Sequence, residues 1–249
     1  MKTLKTITAL LICCSAFGQD KTFYNTREPN GDSTFLFKYQ TAIARKLSLP
    51  LLDTSTKIEY FRIWTNNQAI DVWQEKDGEF KGILTNWTDE NTLYNEEPTN
   101  RTFKKTKEIN GDSLRLLAEL VTSSDVLILP TDDSIKGWGR GFDGITYIIE
   151  HSRNDSYAIK SYWTPKAQDS LKEAIQVQTF VDSVFNLANA QAVWKQFSSE
   201  IPFESYYNGG PGVTIRILNE QQRKAYKKER QNYRQQQFGK SKVQKHKPD

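Results

Sequence analysis

Residues 58–88, IEYFRIWTNNQAIDVWQEKDGEFKGILTNWT, constrain the fold more than any other stretch of the chain. Segment 58–65 is rich in β-branched and aromatic residues, which suit a pleated, half-buried surface. Asn66-Asn67 reads as a turn. Across 69–76, Ile70, Val72 and Gln74 alternate with Asp71, Trp73 and Glu75, the period of two that an extended strand imposes. Asp77-Gly78 supplies the backbone freedom of a tight hairpin, and 79–88 follows as the third strand. The pattern predicts a three-stranded antiparallel meander.

The rest of the chain adds helices and a second pair of strands. Residues 19–34 are polar and turn-rich, with Pro29 and Asn30-Gly31, and read as a mobile lead-in. Phe35, Tyr39, Ile43 and Leu47 recur every four residues and predict a short helix ending before Pro50. The acidic stretch 89–100 reads as a loop, and the lysine-bearing 101–109 as a strand at a sheet edge. A helix is expected over 113–123. Strand-like runs at 144–152 and 156–164 form a later hairpin, followed by a helix from Asp169 to about Leu187, a second helical piece from Ala190 to Phe197, and a last strand at 213–218. Strands and helices that segregate in this way predict an α+β fold, an antiparallel sheet packed against helices. The expected organisation is a leader at 1–18, a lead-in with its helix at 19–57, one α+β domain at 58–218, and a basic polar tail at 219–249, helical or disordered.

Residues 1–18 carry Lys2 and Lys5, an apolar run from Ile7 to Cys14, and small residues Ala16 and Gly18 before Gln19, the pattern of a cleaved secretory signal peptide. The apolar run is too short to span a bilayer. Ile12 stands where a lipid-attachment box carries a small residue, which argues against anchoring through Cys13 or Cys14. The protein is therefore expected to be exported to the periplasm or the exterior, with no integral membrane span. Both cysteines lie within this leader, so cleavage leaves no disulfide, no thiolate metal site and no cysteine nucleophile. Charge is uneven. The formal net charge is +4; Lys2 and Lys5 contribute +2 and residues 219–249 contribute +7, which leaves the body between them at −5.

Gly139, Gly141 and Gly144 match G-x-G-x-x-G, the spacing of a dinucleotide-binding turn. That turn works only where a strand precedes it and a helix N-terminus follows to receive the pyrophosphate. Here Ile-Thr-Tyr-Ile-Ile follows Gly144, a strand signature, so no nucleotide cofactor is expected, and the segment reads as a glycine loop entering a hairpin. The same segment carries a wider likeness. The run W-x-x-x-x-x-I-D-V-W at 64–73, then G-F-D-G-x-x-Y-x-x-E at 141–150 and S-Y-W-T-P at 161–165, resembles a group of uncharacterised exported bacterial proteins sharing a D-G-x-x-Y/W-x-x-E…W-x-P pattern. The likeness spans roughly residues 58–187. It implies export and brings no known activity, so it assigns no catalytic residue.

Few catalytic chemistries fit the composition. The only histidines are His151 and His246, so a Ser-His-Asp triad has to be built on His151 and a three-histidine zinc site is excluded. No metal is expected. Asp143 and Glu150 flank the glycine loop and a strand and form the candidate pair for glycoside hydrolysis, with Asp132 and Asp133 nearby. The structural alternative pairs Glu150 with Lys160 on the neighbouring strand and bonds Asp143 within its turn. Trp64, Trp73, Trp87, Trp138 and Trp163 lie on or beside predicted strands, where aromatics usually fill cores. Of these Trp138, on the glycine loop, is expected to be the most exposed; with Arg140 and Trp163 it forms the candidate binding set. Tyr226, Tyr233 and Phe238, interleaved with cations, give the tail a possible contact with an anionic membrane surface or nucleic acid. The sequence is read as a non-catalytic binding or envelope-interaction domain whose partner is a glycan or an envelope protein. A carboxylate-dependent glycan hydrolase and a tail that binds anionic surfaces are the alternatives.

Overall fold

A computed structural model describes residues 21–92, 99–209 and 212–244, with side chains as far as residue 236. The leader, with Cys13 and Cys14, lies outside the described residues, as do 93–98 of the acidic loop and His246. The chain builds β1 (Thr22–Tyr24), α1 (Phe35–Lys46), β2 (Glu59–Trp64), β3 (Gln68–Gln74), β4 (Phe80–Asp89), β5 (Thr102–Ile109), α2 (Gly111–Ser123), β6 (Thr146–Arg153), β7 (Ser156–Trp163), α3 (Lys172–Leu187), α4 (Ala190–Ser199), β8 (Ser205–Tyr207), β9 (Val213–Ile215) and α5 (Glu220–Gln244).

Seven strands form one sheet in the order β1-β7-β6-β2-β3-β4-β5, and β8-β9 form a separate small hairpin. The meander is present as β2-β3-β4, and Gly78 at its second turn has φ +92°. The purely antiparallel sheet expected from the meander and the later hairpin is corrected, because β1 runs parallel to β7 and makes the sheet mixed. The fold is α+β around that mixed sheet. β1 is only three residues long and exposed throughout, so it carries no hydrophobic alternation to announce it. It is held by backbone pairing, with Thr22 N donating to Asp155 O at 2.8 Å. Residues 22–24 of the lead-in thus supply an edge strand, and the helix expected from Phe35 covers the sheet.

Both faces of the central strands are covered, and all six residues of β2 are buried. On one face Phe61, Ile63, Ile70, Val72, Leu84 and Ile149 pack against Leu117 and Val121 of α2 and against Val177, Phe180 and Val184 of α3. Full burial of each such side chain contributes roughly 1.5–3 kcal/mol. On the other face Trp64, Ala69 and Trp87 meet Ala44 and Leu47 at the end of α1, and Tyr60, Tyr157 and Ile159 meet Leu52.

α1 begins where Thr34 Oγ1 accepts a bond from Phe37 N at 3.3 Å. Its apolar stripe does not face inward as a unit. A four-residue repeat drifts by about 40° per step around a 3.6-residue helix, so Leu47 is buried while Tyr39 is 53 % and Phe35 78 % exposed. The buried positions of the helix are Gln40 and Ala44. The basic tail is helical as α5, exposed along most of its described length and anchored at the buried residues Tyr226 and Arg230. Tyr226 donates its hydroxyl to buried Glu90, Arg101 pairs with Glu229, Arg230 Nε lies 3.3 Å from Glu90, and the Arg101 guanidinium sits over Tyr233 at 5.6 Å.

Candidate functional site

The glycine loop is a packing device. β6 starts at Thr146, directly after the third glycine, so a strand stands where a phosphate site needs a helix N-terminus. A Cβ on Gly141 would lie 2.6 Å from the Trp163 ring, and one on Gly144 would lie 1.9 Å from Thr164 Oγ1. The glycines let the loop close onto the end of β7. Asp132, 1 % exposed, ties the same corner together by accepting from Trp163 N at 2.7 Å and Ser161 Oγ at 3.0 Å. Trp138 is 9 % exposed, not the most exposed tryptophan; its ring lies 5.8 Å from that of Tyr162 and its Nε1 donates to Trp163 O at 2.9 Å. Trp163 is half-buried beneath the glycines. Arg140 is half exposed and pairs with Asp133. The candidate binding set is therefore brought together in a folded corner, with Trp138 buried, Trp163 half-buried and Phe142 of the same loop fully exposed.

Asp143 and Glu150 are not brought together. Asp143 is exposed on the loop, and Thr146 to Glu150 alone spans about 13 Å of strand, beyond the separation of about 5–9.5 Å used by paired glycosidase carboxylates. Glu150 also does not meet Lys160. The register sets Glu150 opposite Ile159 and sets Lys160 opposite Ile149, so the two charged side chains lie on opposite faces of the sheet. Instead β2 places Arg62 directly between Asp71 of β3 and Glu150 of β6. Arg62 Nε donates to Asp71 Oδ1 at 2.6 Å and Nη1 to Pro50 O at 3.0 Å, while Glu150 Oε2 lies 3.8 Å from Nη1. Glu150 accepts from Trp64 Nε1 at 2.6 Å and from the Tyr157 hydroxyl at 2.7 Å. Burial pushes the Glu150 and Asp71 carboxyls above their usual range, and Arg62 pulls both back in part. Each Glu150 oxygen thus accepts one hydrogen bond inside the protein, and the side chain belongs to a buried charge network. His151, on the other face, bonds Glu59 at 2.7 Å beside Arg153. Burial works to raise the Glu59 pKa, but these two partners outweigh it and hold the carboxyl below the ordinary range.

A concavity lies elsewhere, between α1 and the sheet end where β2 stops and β6 starts. It encloses about 700 Å³, within the range of small-ligand sites. Trp64 and Trp87, edge to face at 5.8 Å, form its floor together with Ile148. Phe35 and Tyr39, stacked at 5.8 Å with a 15° interplanar angle, and Tyr207, 42 % exposed, form its rim. Polar groups are few. Asn66 is exposed in the β2–β3 turn, and Lys46 and Asp89 neutralise each other at 2.6 Å. Gln40 Oε1 on α1 and Asn67 Oδ1 in the β2–β3 turn, both on buried side chains, have no hydrogen-bond partner among the described residues. Asn67 is fixed by its Nδ2, which donates to Trp87 O at 2.6 Å. The signal for this site in the sequence is the Phe35/Tyr39 pair, one turn apart on the helix.

Among the described residues no group of three His, Cys, Asp or Glu side chains is placed to hold a metal, and no helix is long and apolar enough to cross a membrane. No protein-family model, curated protein or solved structure matches the chain.

Proposed function

We propose that the protein is an exported, non-catalytic binding domain that takes a neutral glycan in the cavity beneath α1. The observation that carries this reading is the exposed aromatic rim of Phe35, Tyr39 and Tyr207 around a floor of two tryptophans. Aromatic faces stack on the apolar faces of sugar rings, and a few amides fix the hydroxyls. The Lys46–Asp89 pair leaves the rim without net charge, which favours a neutral ligand over an ionic one. The leader pattern of residues 1–18 and the resemblance to exported bacterial proteins support export. Exposed Lys224, Lys227 and Lys228 on the outer side of α5 support an accessory contact with an anionic surface.

The test is calorimetric titration of the protein with a panel of neutral oligosaccharides, repeated with Tyr39→Ala. The reading expects at least one neutral glycan to bind and the substitution to weaken it by about tenfold, close to 1.4 kcal/mol. Absence of binding across the panel, or affinity indifferent to Tyr39, overturns it.

A further inference from the structure

The opposite face of the sheet holds a second cavity, of about 600 Å³, where β7 runs out from under the helices and the turn after α2 closes over it. Lys160 lines it and is only 7 % exposed. Its Nζ donates to Leu127 O at 2.5 Å. An ammonium carries three donors, and among the described residues no carboxylate lies within ion-pair range of this one. The nearby charges are already committed or face water. Glu59 is held by His151 and Arg153, and Asp125 is exposed on the covering turn. A buried cation without a counter-ion is costly and is normally found paired. Leu127, Leu129, Pro130 and Ala158 form an apolar strip along one part of the wall, while Thr122, Ser123, Ser124 and Ser156 make the rest polar.

We infer that this cavity binds an organic monocarboxylate with an apolar body, its carboxylate seated on Lys160 Nζ and its chain against the leucine and proline wall. The ligand supplies the missing counter-ion, and Arg153 at the cavity edge adds to the attraction. Binding is linked to protonation of the lysine, which burial holds down to about 8. Affinity therefore falls as pH rises past that value, because the amine that loses its proton no longer attracts the anion. The other titratable groups around the cavity are Tyr24 from β1, Glu59 from β2, Asp125 from the turn after α2, and His151 and Arg153 from β6.

Octanoate and octanamide, equal in shape and different in charge, are titrated into the wild-type protein and Lys160→Met at neutral pH and at about pH 9.5. The wild type is expected to prefer octanoate by at least about tenfold at neutral pH, to lose that preference at high pH, and to lose it at either pH in Lys160→Met. Equal affinity for acid and amide, a preference that survives Lys160→Met, or no octanoate binding at all overturns the inference. If Lys160→Met fails to fold, the comparison of acid with amide on the wild type decides alone.

Discussion

Arg62→Met is expected to destabilise the protein by an amount that depends on pH in a defined direction. Arg62 is fully buried and stands between two buried carboxylates, bonded to Asp71 at 2.6 Å and 3.8 Å from Glu150. Methionine fills much of the volume but removes the charge, and loss of one partner from a buried ionic group costs about 3–5 kcal/mol. Burial already holds both carboxyls above their usual range, and Arg62 opposes that rise. Without it both rise further. The folded variant then binds more protons than the unfolded chain from about pH 4, the ordinary carboxylate range, up to the raised values. Unfolding free energy falls with increasing pH across that window, by up to about 1.4 kcal/mol per pH unit for each carboxyl. The deficit relative to wild type should therefore be smaller near pH 4.5 than at pH 8, where it should reach about 3–5 kcal/mol. Urea unfolding followed by tryptophan fluorescence at the two pH values measures it. A deficit equal at both, or below about 1 kcal/mol at pH 8, refutes the network as described.

Three further outcomes follow from the packing. Trp138→Ala should cost about 3–5 kcal/mol of stability without altering oligosaccharide affinity, because the ring is in the core against Tyr162; a stable variant with weakened binding contradicts that placement. Gly144→Ala forces a side chain onto a backbone at φ +153° and against Thr164 Oγ1, so thermal unfolding should shift by the equivalent of at least about 1–3 kcal/mol, and an unchanged transition would mean the loop is not closed on β7. Tyr226→Phe removes a donor from buried Glu90, a loss of about 1–3 kcal/mol that loosens α5. Trypsin should then cut at Lys227 and Lys228 faster than in the wild type, and equal cleavage rates argue against docking.

Local chemistry made part of this architecture readable. Asp77-Gly78 and the alternation through Ile70, Asp71, Val72 and Trp73 specify a hairpin whatever surrounds them, and the strand that leaves Gly144 follows from Ile-Thr-Tyr-Ile-Ile. What stayed hidden depends on partners far apart in sequence. β6 joins β2 across the three strands and one α-helix between them in the chain, and only that pairing sets Glu150 beside Arg62 instead of Lys160. β1, Thr22-Phe23-Tyr24, is too short to show an alternation, and its residues stay largely exposed at the sheet edge. The reason for glycine at 141 and 144 lies in Trp163 and Thr164, on the following strand and its end. α5 lacks an apolar stripe and docks through Tyr226 and charged pairs, which hydrophobic periodicity does not register. The cavity was half legible. Phe35 and Tyr39 stand out in the sequence, but a strict four-residue repeat gives no sign that its first two members turn outward while Leu47 turns in.

Side-chain amide resonances of Gln40 and Asn67, followed by NMR during titration with the tightest-binding neutral oligosaccharide, test the glycan site most directly. Both amides should shift together with the Trp64 and Trp87 indole signals, saturating at one affinity, while Trp138 stays still. Saturable binding that leaves Gln40, Asn67 and both indoles unmoved places the ligand elsewhere and contradicts the account.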